Sequence, residues 1–153
     1  ERARALSNKV EDVSELLAER GPRTGGSMPM SVAYDAPCHL IHAQGVKEAP
    51  LRTLAAVPDL VVERLPNSEE CCGGAGIYGL THPELGGEIG SDKVEEVVQS
   101  GAEALVSGNP GCMMQIGAGL RIVGADARVF HPVEILDESY RRGGLYETRS
   151  KGD

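Results

Sequence analysis

Short apolar runs alternate with amphipathic stretches along most of this 153-residue sequence, and this rhythm constrains the fold more than any other feature. Short runs of small and β-branched residues predict strands at 31–36, 60–65, 104–107 and 127–131. Helical spacing of apolar residues predicts helices within 46–57, 83–100, 112–122 and 132–141. Strand-then-helix units build parallel sheets, so we expect an α/β fold with a four-stranded parallel sheet and helices on both faces, made of Rossmann-like βα units.

The residues before the first strand read as a separate lead-in. Apolar residues recur at steps of four, three and four, which predicts one amphipathic helix carrying Leu6, Val10, Val13 and Leu17. The following "RTGGSM" has the composition of a flexible connector. We therefore expect a lead-in over 1–27 and a cysteine-bearing domain over 28–153.

The four cysteines all follow predicted strands. Cys38 comes after the first strand, the adjacent Cys71 and Cys72 after the second, and Cys112 after the third; His131 ends the fourth. Because the carboxyl ends of parallel strands meet at one edge of a sheet, we expect these thiols to converge there. A turn can aim two neighbouring side chains at one centre, whereas a strand would alternate them, which explains why two cysteines can be adjacent.

Several roles are open to these thiols. A free cysteine often fills core space. A disulfide framework is disfavoured, because a bridge between neighbours is strained and no export signal is present. Zinc and iron–sulfur clusters both use thiolate ligands, although the close Cys-x-x-Cys pairs usual for zinc are missing here. The sequence therefore predicts a metal or iron–sulfur site, with the choice between them open.

Residues around the cysteines suit a negatively charged sulfur centre. Gly73 and Gly74 in "CCGGAG" can bring backbone N–H groups close to sulfur. The stretch "NPGC", with Asn109 and Gly111, places Cys112 at a helix start, where the helix dipole favours a thiolate.

The glycines also match a dinucleotide-binding fingerprint, Gly74-x-Gly76-x-x-Gly79. That fingerprint requires its first glycine directly after a strand, whereas "PNSEECCG" intervenes here. A nicotinamide or flavin site on this chain is therefore disfavoured.

Charge and hydropathy narrow the possible partners. A net charge of −8 argues against nucleic acid, and the apolar runs are too short for a transmembrane segment. We expect a cytoplasmic protein and, since the chain starts without Met inside a helix, a portion of a longer one. The carboxylates of "DKVEEVV" and "DESY" are expected on solvated helix faces.

Four motifs together resemble one known family: "APCHLIHAQG", "LPNSEECCGGAGIYG", "SGNPGCMMQI" and "VFHPVEIL". They are similar to the cysteine-rich, Cys-Cys-Gly domain of heterodisulfide reductase and of the glycolate oxidase iron–sulfur subunit, most of all to the carboxyl-terminal part of the latter. The resemblance implies an electron-transfer role with no catalytic residue on this chain. It also implies an upstream ferredoxin-type domain in the full-length protein, a partner flavoprotein subunit that carries the flavin and oxidises a 2-hydroxy acid, and a location in the cytoplasm or at the inner face of the membrane.

The same resemblance implies roles for individual residues. It favours a 4Fe-4S cluster over zinc, held by Cys38, Cys71, Cys72 and Cys112. Supporting roles around the sulfurs fall to His39, His131, Gly73, Gly74, Asn109 and Gly111.

One position departs from the family pattern. Gln115 stands where the heterodisulfide reductase branch has a further cysteine, so the noncubane cluster chemistry of that branch is not implied. The alternatives are a zinc-stabilised module that docks a partner subunit and a thiol–disulfide reductase domain.

Overall fold

A computed structural model describes residues 1–147, and their centre is a parallel sheet. Within these residues the sheet has four strands in the order β2-β1-β3-β4. The strands are β1 (Met30–Asp35), β2 (Leu60–Arg64), β3 (Ala104–Ser107) and β4 (Arg128–Phe130). All neighbouring pairs are parallel, with Val32 of β1 beside Val62 of β2 and Ala104 of β3. The predicted α/β class is confirmed.

Helices surround the sheet. They are α1 (Arg2–Ser7), α2 (Val13–Arg20), α3 (Ala49–Leu54), α4 (Ile77–Thr81), α5 (Pro83–Ser100), α6 (Pro110–Ile122) and α7 (Pro132–Arg142). A π-helical turn (His39–Gln44) starts directly after Cys38, and neither this turn nor α4 was predicted. None of the helices in the part of the chain that the structure describes is long and apolar enough to cross a membrane.

The predicted N-terminal lead-in helix is present but divided. The chain forms two helices, because Asp12 accepts a hydrogen bond from the backbone of Ser14 and Glu15 reaches back to the backbone N–H of Asp12, which begins a new helix. Leu6 and Val10, assigned to one apolar stripe, are both 66% exposed. Of the four stripe residues, Leu17 packs on the core.

The connector between α2 and β1 lies against α7. The N–H of Gly26 donates to the carbonyl of Ser139, and the Ser139 hydroxyl donates back to the Gly26 carbonyl, each at 2.7 Å. The Arg23 N–H donates to the Tyr140 hydroxyl at 2.8 Å. The predicted domain over 28–153 extends past the described residues at 148–153.

Two hydrophobic clusters cover the two faces of the sheet. Side chains alternate along β1, so Val32 and Tyr34 join one cluster while Ala33 joins the other. The first cluster includes residues of α3 and α7, and the second includes residues of α5 and α6 together with Cys72 and Cys112. Two of the cysteines therefore belong to the core as well as to the sheet edge.

Candidate cysteine site

The cysteines lie beyond the carboxyl ends of three strands. Cys38 follows β1 by three residues, Cys71 and Cys72 lie in the turn region after β2, and Cys112 is the third residue of α6, which follows β3. β1 is paired with both β2 and β3, so the three chain segments that follow these strands start side by side. Each of these segments is called a connection below. The side chains come together as two hydrogen-bonded thiol pairs.

The outer pair consists of Cys38 and Cys71, both half-buried and reduced. Their side chains hydrogen-bond to each other. The backbone N–H of Gly73 also donates to the Cys71 sulfur at 3.4 Å. Burial raises the pKa of Cys38, and the nearby charges of Cys71 and Cys72 raise it further, so Cys38 is a protonated thiol at neutral pH.

The inner pair consists of Cys72 and Cys112, which are only 4% and 7% exposed. The hydrogen bond from the Cys112 thiol lowers the pKa of Cys72 to about 6, outweighing the effect of burial, and the Gly74 backbone N–H contributes in the same direction. The same hydrogen bond and burial raise the pKa of Cys112. At neutral pH the inner pair therefore holds one thiolate, at Cys72, and one thiol.

Two influences act in opposite directions on Cys112. Its place at the start of α6 favours a thiolate, whereas its hydrogen bond to Cys72 and its burial raise its pKa. The expectation of a thiolate at Cys112 stays a prediction.

Glycines allow the turn after Cys72 to pack tightly. Gly73 has a φ of +80°, and a Cβ there would overlap the carbonyl oxygen of Gly86 in α5. A Cβ on Gly79 would overlap the carbonyl oxygen of Gly74. The spacing that resembles a dinucleotide fingerprint is thus accounted for by close packing of this turn against α4 and α5.

Asn109 joins two of the cysteine-bearing connections. Its Oδ1 accepts from the backbone N–H groups of Gly111 at 2.6 Å and Cys112 at 3.2 Å, which caps α6. Its Nδ2 lies 2.8 Å from Nδ1 of His39, the neighbour of Cys38. Asn109 therefore links the segment that carries Cys38 to α6, the helix that carries Cys112.

His131 caps a different helix. Its Nδ1 accepts from the N–H of Val133 at 3.2 Å, and its own N–H donates to Glu134 at 2.7 Å, which forms a capping box at the start of α7. The role of His131 toward the sulfurs remains a prediction.

Gln115 lies behind the Cys-Cys-Gly turn. Its Nε2 donates to the carbonyl of Gly86 at 3.4 Å, and its Cβ lies close to Gly74. This side chain therefore connects α6 to α5 at the position where the related branch has a thiol.

A buried ion pair lies beneath the thiols, and the sequence reading missed it. Lys93 of α5 is 3% exposed and Asp35 at the end of β1 is 1% exposed, with 3.3 Å between Nζ and Oδ1. The expectation of a solvated face for the carboxylates of "DKVEEVV" is wrong at Glu96, whose side chain is 16% exposed. The spacing of Gly86, Gly90, Lys93 and Val97 follows the buried stripe of α5 and could have revealed the burial of Lys93.

The thiols suit a thiolate-ligated group by donor chemistry, since both zinc and iron–sulfur centres bind cysteine sulfur. One thiolate is already formed at neutral pH, and two backbone N–H groups point to sulfur. Within residues 1–147, no three or more His, Cys, Asp or Glu side chains are arranged so that they could hold a single metal ion. Convergence of all four sulfurs on one centre stays a prediction.

Comparison with known proteins gives a family match over the whole site. The model of the cysteine-rich domain family matches residues 32–117, which include all four cysteines. The chain belongs to the cysteine-rich domain family. The resemblance read from the four motifs is thereby confirmed.

Similar curated proteins share one name. The chain is 35% identical over 142 residues to lactate utilization protein A of Oceanobacillus iheyensis, covering 92% of this chain and 58% of that protein. It is 32% identical over 139 residues to the protein of the same name from Geobacillus thermodenitrificans, covering 90% of this chain and 58% of the relative. The chain thus spans less than three fifths of the length of these relatives.

Proposed function

We propose that this cysteine-rich domain is the iron–sulfur part of an electron-transfer subunit in a system that oxidises a 2-hydroxy acid. The observation that carries the proposal is the presence of two thiol pairs at one sheet edge, one of them with a thiolate at neutral pH. The names of the relatives favour lactate as the 2-hydroxy acid, with glycolate as the alternative.

Each part of the site has a role in this proposal. Cys38, Cys71, Cys72 and Cys112 would bind the cofactor, with a 4Fe-4S cluster favoured over zinc. Such a cluster, when bound, supplies one-electron transfer. The N–H groups of Gly73 and Gly74 donate to sulfur, which stabilises negative charge there, and the buried inner pair keeps water away from one side of the site.

The remaining components belong to other polypeptide segments. We propose that a flavoprotein subunit carries out the substrate chemistry and that an upstream ferredoxin-type domain relays electrons. The domain itself would begin near residue 28, with the lead-in at 1–27 packed on it through α2 and the connector. We place the protein in the cytoplasm or at the inner face of the membrane.

Metal analysis of protein purified without oxygen tests this proposal. Iron together with acid-labile sulfide, in amounts close to one cluster per chain, is the expected result. Stoichiometric zinc without sulfide would overturn it in favour of a docking module that zinc stabilises.

A thiol–disulfide function is the second candidate. It is favoured by the lowered pKa of Cys72 beside a protonated thiol, the arrangement that attacks disulfides; because Cys72 is only 4% exposed, the attack requires the turn that carries it to open. A metal-free protein whose Cys72 forms a mixed disulfide with a small disulfide substrate would support this reading over the first.

A further inference from the structure

A buried cation lies where the three cysteine-bearing connections leave the sheet. Lys93 projects from α5, on the sheet face that also carries the inner pair. Its Nζ forms the ion pair with Asp35 described above and also donates to the backbone carbonyl of Asn67. Asp35 precedes Cys38 by three residues, and Asn67 precedes Cys71 by four.

The segment that follows β3 and carries Cys112 is joined to Lys93 through Asp35. The Ser107 hydroxyl, at the end of β3, donates to Asp35 Oδ2 at 3.1 Å, and both side chains are fully buried. Ser107 begins the connection that leads through Asn109 to Cys112. A single ammonium and its carboxylate therefore contact all three connections.

Other bonds hold the same turn but do not replace this contact. The Ala36 N–H donates to the carbonyl of Ser68 at 3.0 Å, and the Asn67 side chain donates to Glu96. On the exposed side, Lys47 pairs with Glu69 at 3.1 Å. Among these bonds, the one from Lys93 to Asn67 is the one whose donor also contacts Asp35.

We propose that Lys93 is a positioning residue of the cysteine site, which holds the turn before Cys71 and Cys72 in register with the connections that carry Cys38 and Cys112. A buried charged pair is often no more stabilising than an apolar pair of the same volume, so stability alone does not account for it. Because its contacts end on backbone and side chains that precede cysteines, its loss should change the spacing between the thiols.

Substitutions can separate positioning from stability. Lys93→Met leaves Asp35 buried and unpaired, so this variant loses stability for a second reason. The double variant Asp35→Asn/Lys93→Met removes the two most buried charges at nearly constant volume, retains an acceptor for Ser107, and lacks the bond to Asn67. Glu96, 4.0 Å from Lys93, keeps its bond from the Asn67 side chain. Lys47→Met is the matched control, because it removes an exposed lysine bonded to the same turn.

The first measurement is the affinity of each folded, reduced protein for Cd²⁺, followed by thiolate-to-metal absorption. This readout rests on the proposed function, since it assumes that the thiols bind a metal together. We expect the double variant to bind Cd²⁺ about 10- to 100-fold more weakly than wild type. We expect Lys47→Met to match wild type.

The second measurement needs no metal. Metal-free protein is oxidised with diamide, and its disulfides are mapped by mass spectrometry of peptides; wild type should form the bridges Cys38–Cys71 and Cys72–Cys112. The double variant should form them more slowly and with mixed pairing. If the double variant keeps the disulfide pairing and the Cd²⁺ affinity of the wild type, the proposal for Lys93 is overturned. If the wild-type protein purified without oxygen lacks iron and sulfide, the proposed cofactor is overturned, and the disulfide test of Lys93 remains valid.

Discussion

The outer and inner thiol pairs differ in their contact with water and in the charge they carry. Cys38 and Cys71 are half-buried, and the pKa of Cys38 is raised. Cys72 and Cys112 are packed into the core beneath the sheet edge, yet this is the pair that holds a thiolate. The comparison shows that a hydrogen bond from a neighbouring thiol can outweigh burial in setting where negative charge resides.

The largest effect should come from removing the charged member of the inner pair. Cys72→Ser should leave the anaerobically purified protein with almost no iron and sulfide, because a ligand bond is lost outright. His131→Ala should keep its metal and lose about 1 kcal/mol from the loss of the α7 cap. Iron and sulfide analysis with thermal unfolding checks both; a full site in Cys72→Ser and an empty one in His131→Ala would mean that the histidine is the ligand.

The stability of the metal-free protein should also differ between a variant of the inner pair and a variant of the outer pair. Cys72→Ser should lower the free energy of unfolding by about 1–2 kcal/mol, since it buries a hydroxyl in a core position. Cys38→Ser, on the half-buried outer pair, should change it by less than about 0.5 kcal/mol. If chemical denaturation gives equal losses of unfolding free energy for the two variants, the two pairs are not buried to different extents in solution.

Gly73 joins the two pairs, because it follows Cys72 and donates to Cys71. Gly73→Ala should cost about 2–4 kcal/mol, since the residue has a positive φ and the new Cβ would overlap backbone of α5. Gly87→Ala is the matched control: its Cβ would meet no atom within 4 Å, so it should raise stability by about 0.5–1 kcal/mol through helix propensity. Denaturant unfolding of metal-free protein measures both.

The inner pair should also make stability depend on pH. The pKa of Cys72 is lowered to about 6 in the folded protein, so between pH 6 and about pH 9 the unfolded chain binds more protons and the free energy of unfolding rises with pH. A difference of one bound proton between the two states gives a slope of roughly 1 kcal/mol per pH unit. The contribution is lost as pH falls through 6.

Above about pH 9 the trend should reverse, because the raised pKa of Cys112 keeps its proton on the folded protein while the unfolded chain releases it. Denaturation across this range, with Cys72→Ser as reference, isolates both terms, and thiolate absorbance reports the titration directly. A Cys72 that stays protonated at pH 7.5 would contradict the assignment of charge to the inner pair.

Asn109 links the two pairs, and its replacement should have a modest effect. Asn109→Ala should lose about 1 kcal/mol, since it removes the cap of α6 and the contact to His39 together. Asn109→Ser keeps a capping oxygen and should recover most of the stability while leaving His39 without its partner. Amide chemical shifts near Cys38 should therefore change in both variants, and those of the first turn of α6 mainly in Asn109→Ala.

Much of this fold is predictable because buried strands and amphipathic helices have different periods. The strand at 104–107 and the helix at 83–100 match the structure at both ends, because each is bounded by turn residues or by Pro and Gly. The division of the lead-in was also readable, from Asp12 and Glu15 as a capping box, but the regular apolar spacing concealed it.

The site is predictable to the level of the sheet edge. Strand order within βα units brings Cys38, Cys72 and Cys112 to neighbouring connections, and this follows from topology alone. The pairing of particular thiols and the thiolate at Cys72 depend on how individual turns pack, and no local pattern encodes turn packing between segments distant in sequence. The burial of Lys93 was readable from the buried stripe of α5, but its contacts with Asp35 and Asn67 were not.

The cap of α6 also determines where a proton lies beside Cys38. Both backbone bonds of Asn109 end on Oδ1, so the atom that faces His39 is the amide nitrogen, which can only donate. His39 Nδ1 must accept, and the neutral imidazole therefore carries its hydrogen on Nε2. A helix-capping residue thus selects the tautomer of a histidine 70 positions earlier in the chain, and leaves that ring with one N–H to offer.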